Sequence, residues 1–243
     1  NKESSANGVL TPYTGLVYDL SRDYSVYASY TTIFAPQAKR DINRNLLDPV
    51  DGRSYETGVK GEHMDGRLNT AVTLFHTEQN NVAEAGGVIP GSIETYYVAK
   101  DGIRSQGFEL EATGEVLPDW QLAGSYTNLS IQDADGNQAN TYTPRQLFKL
   151  SSTYRLDKLK LGGALNWQDK IYRVNNLGGE TTQGGYALLD LMARYQVDKH
   201  LSLSLNVNNV LDKKYFAGVS SLGGLYYTWG APRSVNVGMR YDF

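Results

Sequence analysis

The chain has no cysteine among its 243 residues, so disulfide stapling and thiolate metal sites are both excluded. It has only 3 histidines, His63, His76 and His200, and they fall in different segments with no HExxH or other paired spacing that would hold a metal directly. It also lacks any run approaching the ~20 apolar residues of a membrane-crossing helix, and its mean hydropathy is -0.44. Strong charge of one sign is missing too. With 23 Lys and Arg against 26 Asp and Glu, the formal net charge is -3 and the pI near 5.7, which gives no global basic field for nucleic acid. Two classes stay open: a soluble β-rich fold, and a transmembrane β-barrel, whose strands need apolar residues only at every second position and so escape hydropathy averages.

What the chain does have is 18 Tyr and 25 Gly, a composition that favours strands and turns. Period-two alternation, bounded by Gly, Asp, Asn and Pro clusters, predicts about eleven strands, over residues 11–20, 24–34, 53–63, 67–82, 96–116, 120–133, 145–156, 159–174, 186–197, 201–215 and 226–243. The pattern is cleanest at the end, where Val235, Val237, Met239, Tyr241 and Phe243 alternate with Ser234, Asn236, Gly238, Arg240 and Asp242. Several segments exceed the usual soluble strand of ~5–6 residues. At ~3.3 Å per residue and ~45° tilt, a last strand from Trp229 to Phe243 rises roughly 30 Å, enough to cross a bilayer core.

The connections alternate in length. Short polar turns at Ser21, Met64, Leu117, Leu156 and Asp198 interleave with long links such as "APQAKRDINRNLLDPVDG" and "NLGGETTQGG". A sandwich has no reason to gather its long loops at one end of a meander, whereas an outer-membrane barrel has tight periplasmic turns and long outer loops. The two faces agree. One carries Leu68, Val72 and Leu74, then Phe108, Leu110 and Ala112, Leu122 and Tyr126, Phe148 and Leu150, and Leu201, Leu203, Leu205 and Val207. The other carries Glu109, Glu111 and Glu115, Gln121 and Ser125, Lys149, Ser151 and Arg155, and Ser202, Ser204, Asn206 and Asn208, which suits a water-filled lumen. Trp120, Tyr154, Trp167, Trp229 and Tyr241 share the apolar parity near strand ends and fit aromatic girdles against outer-membrane lipid.

Polarity adds a constraint. With Phe243 at the periplasmic side, alternating directions make the first segment run the same way as the last, so closing about eleven strands alone would set two parallel strands side by side, against the even, antiparallel rule of bacterial barrels. The polar opening "NKESSANGVL" offers neither a further strand nor a secretory leader. The expectation is therefore an all-β, antiparallel, up-and-down transmembrane β-barrel of which residues 1–243 are a C-terminal portion. The terminal aromatic, with Tyr241, Met239, Val237 and Val235 behind it, resembles the signal that the barrel assembly machinery reads in bacterial outer-membrane proteins.

Particular stretches carry a family resemblance. "DGRLNTAVTLFHTEQNN", "IRSQGFELEATGEVLPDWQLAGSYT", "LSLNVNNVLDKKYF" and "WGAPRSVNVGMRYDF" closely resemble successive strands near the end of TonB-dependent outer-membrane receptors, in the same order and over nearly the whole chain. "TPYTGLVYDLSRDYSVYASYTTIFAPQ", "GRSYETGVKGE" and "GAPR" at Gly230 to Arg233 resemble the ferric-siderophore receptors among them, especially those for hydroxamate-containing and pyoverdine-like ligands; receptors for vitamin B12, haem and glycans share fewer of these stretches. The resemblance implies the last eleven strands of a 22-stranded barrel. It also implies capture of a ferric siderophore outside, with import driven by the TonB complex through an N-terminal plug that this sequence lacks. Iron would arrive wrapped in its chelator, with no cofactor bound by the protein itself.

Recognition of a bulky, polar ligand with planar groups calls for aromatic and polar side chains near the outer mouth. Parity turns Tyr97, Tyr172 and Tyr226 towards the lumen there, and Arg40, Arg44 and Arg173 are placed to attract an anionic chelate. The plainer alternative makes each Tyr an interface residue and each Arg a solvated loop charge. "DADGN" at Asp133 to Asn137 imitates a calcium loop, but Pro144 stands where the bidentate Glu is needed, so a loop turn is expected. "DKK" at Asp212 to Lys214 reads as strand-end electrostatics. A barrel hydrolase would need a nucleophile and a His at the same end. His63 and His200 instead adjoin the short turns and His76 has lipid-facing parity, so a non-enzymatic protein is expected.

Overall fold

In the computed structural model, residues 8–174, 178–220 and 226–243 are described. They form strands and no helix. Eleven strands make one antiparallel sheet: β1 (Tyr13–Asp19), β2 (Tyr24–Ala35), β3 (Val50–His63), β4 (Leu68–Asn80), β7 (Ile103–Leu117), β8 (Trp120–Gln132), β9 (Gln146–Leu156), β10 (Leu159–Gln168), β13 (Tyr186–Gln196), β14 (Leu201–Asn208) and β17 (Ser234–Tyr241). Three hairpins stand apart from it, β5 (Val82–Val88) with β6 (Thr95–Lys100), β11 (Ile171–Val174) with β12 (Glu180–Gln183), and β15 (Phe216–Ser220) with β16 (Tyr226–Trp229).

Sheet order follows chain order, so the sheet is a meander. Its strands join alternately through turns of two to four residues and through long links, and all three hairpins belong to long links. Every hairpin therefore stands at one end, with the tight turns and the C-terminus at the other. The tight turns follow local chemistry. In the β7–β8 turn Pro118 presets its own φ and Asp119 takes φ 65, while Asp157 takes φ 50 between β9 and β10; both are short polar residues that tolerate the left-handed region. Asp198 closes the β13–β14 turn, its carboxylate accepting the N–H groups of His200 (2.8 Å) and Leu201 (2.9 Å), and these donors hold it below the usual carboxylate range.

Register fixes the faces. Val59, Val72, Leu110 and Tyr126 stand opposite one another across β3, β4, β7 and β8, and the same outward face continues through Leu150, Leu165 and Leu189 on β9, β10 and β13. These residues are not packed under anything: Val72 is 48% exposed, Leu74 55%, Leu203 42% and Val237 80%. Among the described residues only Ile103, Ile131, Ile171, Tyr186 and Val219 are buried apolar side chains. A water-soluble sheet of this size would hide its apolar face, so the exposed apolar band identifies a wall whose outer solvent is lipid. On the inner face Tyr27 Oη donates to Glu56 (2.6 Å) and lies 2.8 Å from Thr73 Oγ1, while Thr127 Oγ1 donates to Glu109 (3.2 Å).

The structure corrects the length of five segments, among them residues 201–215, whose strand β14 ends at Asn208 because Asn209 turns the chain at φ 48. Residues 159–174, expected as one strand, divide between β10 and β11 at Asp169 and Lys170, where a carboxylate interrupts the apolar parity of Trp167 and Ile171 and the ladder has no neighbour beyond Gln146. Asn81 at φ 57 separates β4 from β5, and Gly102 at φ 67 separates β6 from β7. The last strand starts at Ser234 rather than Trp229, because Pro232 cannot donate to a ladder and Gly230 N–H is taken by Tyr215 O (2.9 Å). Its eight residues rise ~19 Å at the same tilt.

β14 and β17 are tied at that corner by a residue buried to 5% exposure, Asn209. It takes φ 48, its amide donates to Lys213 O (2.9 Å) and Ala231 O (3.1 Å), and its carbonyl accepts Lys213 N–H (2.8 Å). Asp212, at φ 49, accepts Arg233 N–H (3.1 Å). "DKK" thus works through hydrogen bonds rather than through net charge.

Two outcomes follow for the protein in its membrane. A polymer-linked maleimide should label Asn43→Cys and Asp135→Cys on intact cells but reach Arg22→Cys and Lys199→Cys only after the outer membrane is opened; equal labelling of both sets would refute the orientation. Asn209→Ala strands buried donors and acceptors and should cost about 2–4 kcal/mol, read as a lower midpoint in heat-dependent gel mobility, with Asn209→Asp in between.

Candidate functional site

The compact packing in the described chain lies at the loop end. Ile103 starts β7, Ile131 is the penultimate residue of β8, Ile171 starts β11 and Tyr186 starts β13, so the buried apolar residues form small footings under the hairpins. Tyr186 meets Tyr215 with ring centroids 4.5 Å apart, and Gln183 Oε1 accepts Phe216 N–H (2.7 Å), which joins the second and third hairpins. Loops resting on rigid strand ends are where a binding surface is expected.

Two clusters of aromatic and cationic side chains stand there. In the first, the β2–β3 link crosses the first hairpin: Tyr97 N–H donates to Arg40 O (2.8 Å), and Lys39 Nζ donates to Tyr97 Oη (3.2 Å) while lying 4.4 Å from its ring centroid. Arg40 donates to Arg44 O (2.8 Å), and Arg44 pairs with Glu94 (3.2 Å), an exposed pair worth little in stability. Asp41 closes the loop by accepting the N–H groups of Asn43 (2.9 Å) and Asn45 (2.8 Å). Tyr97, Arg40 and Arg44 are therefore together.

In the second cluster the β8–β9 link meets the second hairpin. Tyr172 N–H donates to Thr141 O (3.0 Å), Thr141 Oγ1 donates back to Tyr172 O (2.7 Å), and Tyr172 Oη donates to Gln138 (3.3 Å). Lys170 Nζ lies 5.7 Å from the Tyr172 ring centroid, and the Arg173 guanidinium lies 3.7 Å from that of Tyr142. Arg145 reaches back to the carbonyls of Ile131 (3.4 Å) and Ala139. Burial pushes its guanidinium below the usual value, with Tyr172 acting in the opposite sense. "DADGN" is a turn, in which Asp133 accepts the N–H groups of Asp135 (3.0 Å) and Asn137 (2.9 Å).

Tyr172 and Arg173 are thus adjacent, apart from the first cluster's residues along the sheet. Tyr226 pairs through its backbone with Ser220 on the third hairpin, and its side chain lies outside the described residues. Parity does not reach any of the three tyrosines, because each stands on a hairpin beyond a break in the wall. Sequence reasoning passed over Lys39, Tyr142 and Arg145. Only Arg145 left a trace: it precedes β9 on the inner-face parity of Leu147 and Lys149, and Leu129 N–H donates to its carbonyl (2.8 Å).

Of the proposed girdle residues, Trp120 and Tyr154 face each other outward near the tight turns, with ring centroids 6.3 Å apart, and Trp167 stands between Phe148 and Ala187 towards the loops. Tyr241 stacks on His200 at 5.9 Å. Trp229 belongs to the third hairpin, 59% exposed, against Phe216 (4.6 Å) and Tyr227 (5.7 Å).

Residues 1–210 match the family model described as TonB dependent receptor-like, beta-barrel. The chain belongs to the TonB-dependent receptor family. It is 43% identical over 245 residues to the ferric-pyoverdine 358 receptor of Pseudomonas putida, with 97% of this chain and 29% of that protein covered. It is 41% identical over 256 residues to the ferripyoverdine receptor of Pseudomonas aeruginosa, with 98% and 31% covered. Against the crystal structure of the ferripyoverdine receptor of the Pseudomonas aeruginosa outer membrane bound to ferripyoverdine, the TM-score is 0.82 at 39% identity, covering 96% of this chain and 33% of that one. This receptor chain thus spans under a third of the length of those two sequence relatives. Its sheet is the wall of an outer-membrane barrel, open between β1 and β17.

The Thr141–Tyr172 staple gives a local test. Thr141→Val removes one hydrogen bond, about 0.5–1.5 kcal/mol, so amide exchange over Ile171–Val174 should speed up roughly two- to tenfold with gel mobility of the folded receptor unchanged. Unaltered exchange would show that the hairpin is held elsewhere.

Proposed function

We propose that the complete receptor captures a ferric siderophore at the loop end of its barrel and imports it with TonB-coupled energy, this chain supplying the C-terminal half of a 22-stranded wall. The observation that carries the reading is the identity of 41–43% over nearly the whole chain with two receptors named for ferric pyoverdine. The two clusters support it, since tyrosine faces beside Lys and Arg suit a chelate with planar groups and negative charge. Iron is the cargo, enclosed by its chelator. The plug and the TonB-contacting segment belong to the upstream part of the receptor, outer-membrane lipid covers the apolar band, and the barrel assembly machinery reads the Val235 to Phe243 alternation.

The reading is of capture and transport rather than catalysis. His63 lies 2.9 Å from Thr70 Oγ1 near a tight turn, His200 Nδ1 donates to Asp242 O (2.8 Å) near another, and His76 shares the outward face with Tyr55 and Gln106. None stands in the loop clusters.

Replacing Tyr97 and Tyr172 together by Ala removes one aromatic from each cluster. At roughly 0.5–1.5 kcal/mol apiece beyond area, equilibrium binding of ferripyoverdine to the purified receptor should weaken about tenfold, and Ser125→Ala, on the inner wall, should leave it unchanged. Failure of the wild type to bind any ferric chelate, with binding of cobalamin, haem or a glycan instead, would replace the siderophore with that ligand.

A further inference from the structure

The third hairpin differs from the other two in what its strands carry. β5 and β6 include Glu84 and Lys100, and β11 and β12 include Arg173 and Glu180, whereas Phe216–Ser220 and Tyr226–Trp229 contain no charged residue. Residues directly opposite in a ladder share a face. Phe216 stands opposite Trp229 and Val219 opposite Tyr227, so one face gathers the apolar and aromatic side chains, and the other has Gly218 and Thr228. The rings on the first face pack together, Phe216 with Tyr227 at 4.0 Å and with Trp229 at 4.6 Å, yet Tyr227 is 50% and Trp229 59% exposed. Packed rings with one side open make a patch rather than scattered single residues, and such a patch marks a contact surface.

Two contacts at the root of the hairpin fix the direction of that face. Tyr215 packs on Tyr186 with ring centroids 4.5 Å apart, and Tyr186, three residues before the outward Leu189, has inner-face parity. The Tyr215 ring also covers the side of Gly230 on which a Cβ would stand. Tyr215 and Gly230 therefore turn to the lumen side. Successive residues of an extended strand point to opposite faces, so Phe216 and Trp229, next to them in the chain, turn outward. Beneath this face the wall is low. β14 and β17 have 8 residues each, against 10 to 15 in the wall strands from β2 to β13. Eight residues rise ~19 Å, whereas the apolar band of an outer-membrane barrel is ~25 Å tall. The outward face of the two strands ends at the pair Val207 and Val235, and the aromatic hairpin stands directly beyond it.

We propose that the third hairpin lays its aromatic face on the outer leaflet, at the boundary between lipid headgroups and acyl chains, and so completes the lipid-facing surface where β14 and β17 stop short. Lipid is the occupant because the face continues the outward band of Val207 and Val235 and carries no charge. Tyr and Trp, each an apolar ring with one polar atom, are also the side chains that settle at that boundary. The hairpin is then an anchor of the mouth. Through Gln183, which accepts Phe216 N–H (2.7 Å), it steadies the second hairpin as well. The inference follows from the outer-membrane wall and is independent of the ligand that the receptor carries.

The test places a nitroxide on the complete receptor in phospholipid bilayers through Trp229→Cys, with Val237→Cys on the outward wall and Asp135→Cys in an outer loop as references. It compares relaxation by oxygen, which concentrates in lipid, with relaxation by a water-soluble nickel chelate. The Trp229→Cys label should follow oxygen, as the Val237→Cys label does, while the Asp135→Cys label follows nickel. Where loss of the indole disturbs the hairpin, the native side chain supplies a second reading. The fluorescence that disappears in Trp229→Phe should be quenched by at least about half by lipids brominated high on the acyl chain, and little by aqueous iodide. A Trp229→Cys label that follows nickel, or Trp229 fluorescence quenched by iodide and not by brominated lipid, would overturn the proposal. Protection of that label by ferripyoverdine would also overturn it and make the hairpin part of the ligand site. Dipolar broadening between labels on neighbouring molecules would overturn it in favour of a contact between copies. A Val237→Cys label that follows nickel would refute the lipid-facing wall, and the anchor with it.

Discussion

A backbone N–H or C=O in hydrocarbon has no water to turn to, and each one left unpaired costs several kcal/mol. The rest of this structure depends on that constraint. It requires a continuous ladder through the bilayer, and the nine wall strands between β1 and β17 meet it, each lying between two antiparallel neighbours. β1 and β17 meet it on one side only. Both run from the loop end towards the tight turns, so they cannot complete each other as an antiparallel pair, and the wall requires additional strands to close. Register then acts on the side chains. Because the period is two, one set of residues faces lipid along every strand and the other faces the lumen, and a slip by one residue would exchange them.

Outside the bilayer the constraint relaxes, and there the chain bends. The ladder stops where a strand outlasts its neighbour, as after Asp169, whose N–H makes the last bond to Gln146 O, and the freed segment folds on itself as a hairpin. Side chains then do what the ladder no longer does. Asn209 holds two distant carbonyls, Thr141 staples a loop to a hairpin, and Asp133 and Asp41 each close a turn over two N–H groups. The few buried apolar residues sit at these same bends. The wall gains its order from hydrogen bonds between strands, and the mouth gains its order from side chains that replace them.

That division decides what was legible. Alternation in the Val235 to Tyr241 stretch, the positions of the tight turns and the count of eleven wall strands come from a local period, and the structure has all three. The breaks at Asp169 and near Gly230 leave only a weak trace, since Asp169 and Arg233 each stand at an outward position between apolar residues, and whether such a lapse ends a wall strand depends on where the neighbouring strand ends. The site divides in the same way. Tyr172 and Arg173 stood out as an adjacent aromatic and cation, but Tyr142 and Arg145 lie some 30 residues upstream by comparison with that pair, and no spacing rule links them. Their relation comes from the Thr141–Tyr172 staple, a contact between two long links.

The inner face carries a last mark of its solvent. Lys160 stands directly opposite Arg155 on one side and Arg194 on the other, three cations in a row across β9, β10 and β13. Of these, only Arg155 has a carboxylate partner among the described residues, Asp119 at 3.6 Å. Like charges set directly opposite destabilise a sheet, and in a dry interface between packed sheets their repulsion would be prohibitive. In water, two unit charges ~5 Å apart repel by under about 1 kcal/mol, and salt reduces it further. The row is therefore compatible with this sheet only if its inner face is wet. The outward face leads to the opposite solvent, since Leu161 and Tyr195, each next in chain to one of those cations, are 42% and 46% exposed. A single strand thus borders water on one side and lipid on the other. That is why a chain with so few buried apolar side chains has a defined fold: its two solvents, rather than a core, sort its residues.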